Sequence, residues 1–221
     1  MSNRTSPFGT LVIHELRLHG KAYVLLVAST LALLWVATTF VSRSDGGRFA
    51  MAFQLALFPS LLWGDWLVGR ERTTGTITWL RTLPIRSHAI VLAKFAVGAC
   101  WSGVQWLLVS LWFAPELWRP VSTGVVLLSV IVCFGGLQIA GRWRFHWRIA
   151  LVGPLLLLLV PVLLFTSLSG ESSTWREVLL AWWTAPWGRP LAAVCVLSGY
   201  VAIVALTSWW VGRAETYQLV D

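Results

Sequence analysis

Few residues in this chain can do chemistry, and they are not arranged for catalysis. The four histidines, His14, His19, His88 and His146, never form the HExxH pair of a metalloprotease. No GxSxG elbow offers a nucleophilic serine, and no aspartate pair lies within an apolar run. No GxxxxGK[ST] loop is present to cradle a phosphate, so the chain should neither bind nor hydrolyse ATP. The three cysteines, Cys100, Cys133 and Cys195, sit in apolar segments without metal-ligand spacing and read as reduced, buried small residues. The concentrated chemistry is instead in Gly69–His88, GRERTTGTITWLRTLPIRSH. Arg72, Thr73, Thr74 and Thr78 are polar, whereas Ile77, Leu80 and Leu83 recur at helical spacing beside Trp79. This pattern predicts a short amphipathic helix lying where membrane meets water. Pro84 stops it and forces a turn. Such a helix does mechanical work: it receives a push from another protein.

The elements that must position this stretch are apolar. Of the 221 residues 57% are hydrophobic and only 12% charged, against about a quarter charged in soluble domains. The apolar blocks approach the ~20 residues needed to cross a bilayer. They predict an all-α polytopic membrane protein with six transmembrane helices. The expected spans are 22–41, 49–68 (bent at Pro59), 89–113, 121–140, 149–168 (interrupted by Pro154 and Pro161) and 191–211. Residues 1–21 read as a cytoplasmic surface helix, with Phe8, Leu11, Val12 and Leu16 on one face and Thr10, His14, Arg17 and Lys21 towards the other. Thr174 and Glu177 read as a capping box opening a short extracytoplasmic helix between spans five and six, which Pro186 ends. Residues 212–221 form a cytoplasmic tail. The first apolar run is too long for a signal peptide and should be retained.

Cations set the orientation. With the N-terminus inside and six spans, the cytoplasmic side holds Arg4, Arg17, Lys21, Arg70, Arg72, Arg81, Arg86, Arg142, Arg144, Arg148 and Arg213, and Lys94 can snorkel to it. The outer side holds only Arg43, Arg48, Arg119, Arg176 and Arg189. Twelve against five, accounting for all 17 Lys and Arg, places both termini in the cytoplasm. Tryptophans near span ends, among them Trp63, Trp66, Trp143, Trp209 and Trp210, suit an interfacial belt. The net charge of +8 is therefore topological and does not imply nucleic acid. Asp65, the one acid expected inside a span, either braces the stretch by pairing with Lys94 or Arg70 or reaches interfacial water alone. Gln54, Gln105 and Gln138 suit hydrogen bonds between helices.

The segment ERTTGTITWLRTLPIRSHAIVLAK resembles the signature of ABC-2 type transporter permeases, at Glu71, Gly75, Thr76, Leu80, Leu83, Pro84, Ile85 and Lys94. The layout of surface helix, six spans and short external helix is similar to that family's. The resemblance implies the membrane subunit of an exporter with no ATPase site of its own. It also implies a separate ABC ATPase subunit carrying ATP and Mg, and a second permease chain, identical or homologous, in the cell membrane. Glu71, Arg72, Gly75, Thr76, Leu80, Leu83 and Pro84 would then belong to a coupling helix seated in the ATPase. Two alternatives share the layout: a haem-exporter-type permease of cytochrome c maturation, and a membrane sensor or assembly scaffold that moves no substrate.

In a background lacking native cysteines, a cysteine at Thr74 is expected to resist an impermeant thiol reagent in intact cells and react after permeabilisation. Rapid labelling of intact cells would reverse this orientation.

Overall fold

Inside a bilayer, backbone polar groups must satisfy one another, so long apolar runs become helices. The computed structural model describes residues 7–40, 55–74, 86–113, 121–144, 177 and 181–218. The described elements are helical, with no strand among them. They comprise α1 (Pro7–Phe40), a 3-10 turn (Phe58–Leu62), a π-helical turn (Asp65–Gly69), α2 (Arg70–Thr74), α3 (Ser87–Phe113), α4 (Val121–Arg144) and α5 (Gly188–Gln218). Among the described residues, α1, α3, α4 and α5 are long and apolar enough to cross a membrane. Helices α3, α4 and α5 contain the expected spans three, four and six, whereas the apolar window of α1 is Phe8–Leu33 rather than the expected 22–41.

The second expected span is described from residue 55 onward and is not one uniform helix. Pro59 sits in the 3-10 turn, and the π turn begins shortly after it. Span five and residues 75–85, which carry Gly75, Thr76, Leu80, Leu83 and Pro84, lie outside the described residues. So do Gln54 and the Thr174 end of the short helix. That helix is described over 181–184, and the chain turns at 185–187 before α5.

Helix α1 runs through Lys21 and Ala22 without a break. Its inward face is Leu11, Glu15, His19, Leu26 and Thr30, while Phe8 and Leu16 are exposed. That face mixes polar and apolar residues, so a division into surface helix and span is not visible in its backbone.

Helix α3 is the centre of the packing, touching α1, α4 and α5. Over their apolar windows α3 and α4 are 61% and 56% buried, against 17% for α1 and 11% for α5. The outer two therefore present apolar faces for lipid or for another chain. Three contacts order α1 and α3: Lys94 on Glu15, Trp101 stacked on Tyr23 at 4.8 Å, and Gln105 Nε2 donating to Thr30 Oγ1 at 2.7 Å. Positions rise together, so the two helices run parallel. Gly98 faces Ile139 and Gly135 faces Ser102, so α4 runs antiparallel to α3. Alternating spans one, three and four have this relation.

Close approach uses small residues, as membrane interfaces do. A Cβ on Gly135 would stand 2.8 Å from Trp63 Cδ1, and one on Gly136 would stand 2.8 Å from Tyr200 Cε2. Trp63 is fully buried there, its Nε1 donating to Ser102 Oγ at 2.9 Å. Tyr200 crosses from α5 and donates its hydroxyl to the Phe95 carbonyl at 2.9 Å.

Two expectations change. Trp63 and Trp143 are core residues rather than belt residues; for Trp63, the glycine opposite leaves room for the indole. Cys100 and Cys195 are exposed and Cys133 partly so. Near the two ends of α5, arginines lie over tryptophan rings. Arg189 lies over Trp183 at 5.6 Å and Arg213 over Trp209 at 4.2 Å. The two arginines are separated along the helix by about 36 Å at 1.5 Å per residue, close to a hydrocarbon core of ~30 Å plus its interfaces.

Gly136→Val is expected to destabilise the bundle by about 1–3 kcal/mol through overpacking. Thermal unfolding in detergent checks this. The cost should shrink in a Tyr200→Ala background; equal costs in both would show that Tyr200 is not the limiting contact.

Candidate functional site

Three elements converge on one lysine. Helix α1 supplies Glu15 and His19, four residues apart and so one above the other on the inward face. Helix α3 supplies Lys94, between the buried Ala93 and Phe95. The stretch after the second expected span supplies Glu71, in α2. Lys94 Nζ lies 2.7 Å from Glu15 Oε1 and 2.7 Å from Glu71 Oε2. His19 Nε2 lies 3.5 Å from Glu15 Oε2. The lysine is fully buried, and none of the other three is more than 3% exposed.

The π turn helps bring Glu71 inward. Arg70 donates its N–H to the Asp65 carbonyl, five residues back. A π turn holds one residue more than an α turn, so the residues after it are rotated by roughly a quarter turn relative to an unbroken α-helix. Leu67, Val68 and Gly69 are buried, Arg70 is exposed and Glu71 is buried again. Thr74 closes the short helix, its Oγ1 donating to the Arg70 carbonyl at 3.0 Å.

An aromatic wall adjoins the cluster. His19 meets the Trp101 ring edge-on at 6.3 Å, and Trp101 stacks on Tyr23 and touches Trp63 at 5.0 Å. Water is thus kept from Lys94, and its charge acts at low dielectric. An isolated buried ammonium would cost several kcal/mol, which the two carboxylates offset. Glu71, by contrast, has its carboxyl pushed above the usual range. Burial is the main cause; Lys94 works against it, and the nearby Glu15 charge adds to it.

Of the two partners expected for Asp65, Lys94 is not the one it meets. Its Oδ1 lies 2.8 Å from Arg142 Nη2 on α4, while Lys94 belongs to the two glutamates. The reason is depth: the Asp65 side chain is 57% exposed and meets a cation at the rim, whereas Lys94 is sealed inside. Lys94 does not snorkel, because its counter-charges come to it. Of the expected site residues, Glu71 and Lys94 are brought together. Asp65 stands apart on its own pair, and Arg72 lies in α2.

Glu15 and His19 were missed. Their signal was present: an acid and a histidine four residues apart in the first helix. Donor atoms of Glu15, His19 and Glu71 lie within 4.8 Å of one another, a spacing that also suits a cation. The Lys94 ammonium already stands between the carboxylates in that role. Chemically the arrangement clamps three elements by charge and offers no nucleophile.

Lys94→Met should therefore be severe, costing about 3–5 kcal/mol by leaving carboxylates buried without a cation. Asp65→Asn should cost no more than about 1 kcal/mol, since its carboxylate is largely exposed. Parallel melts of the purified variants check the ranking, and equal effects would refute the clamp.

The chain has no match among protein-family models, curated proteins or solved structures.

Proposed function

We propose that this chain is the membrane-spanning permease subunit of an ATP-driven ABC-2 type exporter, coupled to a separate ATPase subunit. The observation that carries the reading is the anchoring of Glu71. It opens the ERTTGT…LP stretch and is ion-paired to Lys94 on α3, which also holds Glu15 on α1. A coupling element must be tied firmly to the helices it moves, since a loose joint absorbs motion. A solvated loop that merely obeys charge topology needs no buried ion pair at its root. The absence of a phosphate loop in the sequence supports a division of labour, with ATP and Mg on the partner.

In this reading both termini and residues 69–88 face the cytoplasm. The ATPase docks on Arg72, Gly75, Thr76, Leu80, Leu83 and Pro84, and a second permease chain completes the pathway. ATP binding closes the ATPase subunits and stabilises one membrane conformation over another. The exposed apolar faces of α1 and α5 supply surface for lipid and the second chain.

Purification in mild detergent from the native host, followed by identification of co-purifying chains, tests the proposal. An ABC ATPase should co-purify and hydrolyse ATP, while the isolated chain should bind no nucleotide. Micromolar nucleotide binding by the isolated chain, or a complex containing no ATPase, would overturn it.

A further inference from the structure

The charges around Lys94 do not balance. Two carboxylates face one ammonium, and His19 adds a positive charge only if its imidazole takes a proton. With both glutamates ionised and no proton added anywhere in the cluster, the site would carry one excess negative charge in a region sealed from water. Buried groups in that position neutralise themselves rather than stay charged. Here the means of neutralisation is a proton.

The geometry says which carboxylate takes it. Glu15 has a partner on each oxygen: Lys94 donates to Oε1 at 2.7 Å, and His19 Nε2 stands 3.5 Å from Oε2. Glu71 has Lys94 alone among the described residues. Its Oε2 lies 2.7 Å from the ammonium, at ion-pair distance but without hydrogen-bond geometry. His19 Nε2, on a side chain 2% exposed, is likewise aimed into the cluster without a hydrogen bond. Glu15 is thus the better-served anion, and Glu71 the one that gains most from neutralisation. The neighbouring charged pair, Asp65 with Arg142, is balanced in itself. The charged groups acting on Glu71 are Lys94, Glu15 and His19.

We propose that the Glu15–His19–Glu71–Lys94 cluster is a proton-binding site, holding one exchangeable proton on Glu71, and that losing this proton loosens α2 from α1 and α3. The bound species is the proton itself, and the site exists whether or not an ATPase partner does. Protonated Glu71 leaves Lys94 and Glu15 as a neutral pair and adds an O–H donor. Deprotonated Glu71 restores the excess charge, and two carboxylates then repel across one ammonium. The elevated carboxyl described above has the matching sense. A carboxyl raised on folding contributes stability at low pH, and that contribution is lost as pH rises from the ordinary value of 4.5 through the folded one.

The test uses the full chain in lipid nanodiscs. Infrared spectra of wild type titrated upward from the ordinary carboxyl value of 4.5 should show a protonated-carboxyl C=O band that disappears as pH rises. The band should be missing in Glu71→Gln, which mimics the neutral form, and retained in His19→Gln. The wild-type Tm should fall over the same range, and that slope should vanish in Glu71→Gln. Absence of the band in wild type, or its persistence in Glu71→Gln, would overturn the proposal. So would a Tm slope that disappears in His19→Gln but not in Glu71→Gln. If Glu71→Gln fails to fold, Glu15→Gln decides: the band is retained there if Glu71 holds the proton, and its loss would overturn the proposal.

Discussion

A lysine ammonium sealed from water is the constraint on which this structure depends. Lys94 is on the innermost helix, with no exposed surface. Such a charge must be met by counter-charge at contact distance, and no residue adjacent on α3 provides it. The carboxylates come from residue 15 and residue 71, on separate elements. One desolvated charge therefore fixes the placement of α1 and α2 on α3. The aromatic wall of Tyr23, Trp63 and Trp101 depends on that placement and in turn excludes the water that would weaken it.

Away from the cluster, packing is governed by shape. In a bilayer helices gain little by burying leucine against leucine, because lipid serves equally well. Close fit and hydrogen bonding are left to hold them together. Gly135 and Gly136 receive Trp63 and Tyr200, and Gln105 reaches Thr30. These contacts sit along the seams of α4 with the turns around Trp63 and with α5, and of α3 with α1. The opposite faces of α1 and α5 carry Leu25, Trp35, Val201 and Leu206, all well exposed. Directional contacts face inward and undirected apolar surface faces outward.

Much of this was legible in the sequence, for a physical reason. A span is a local property: about 20 apolar residues in a row. Spans expected at 89–113 and 121–140 are found as Ser87–Phe113 and Val121–Arg144. Pairing across 79 residues, as between Glu15 and Lys94, is not local, and periodicity carries no trace of it. Lys94 looked like a snorkelling cation because its position, one turn into a span, suits either role. Asp65 looked like its partner because an acid inside a neighbouring span is the natural guess. The π turn decided otherwise, since one extra residue in a turn changes which side chain faces inward. No residue pattern announced it. Glu71 was singled out for its place in a motif, and its burial was not anticipated.

The cluster also bears on why charge is used at the root of this stretch at all. Well-packed apolar side chains of similar volume are often as stabilising as a buried ion pair, or more so. Stability alone would favour replacing Lys94, Glu15 and Glu71 with leucine or methionine. An apolar contact, however, tolerates sliding and rotation at small cost, because it has no preferred direction. An ammonium held at 2.7 Å between two carboxyl groups does not, since displacement leaves a charge unpaired at low dielectric. Such a joint either stays engaged or lets go, with little between. In the exporter proposed above, a push on the stretch beyond Thr74 would reach α1 and α3 through this joint. Asp65 and Arg142, nearer the rim, would meanwhile permit adjustment against α4. A stiff inner joint beside a soft outer one makes the turn at residues 65–71 a pivot rather than a hinge of uniform compliance.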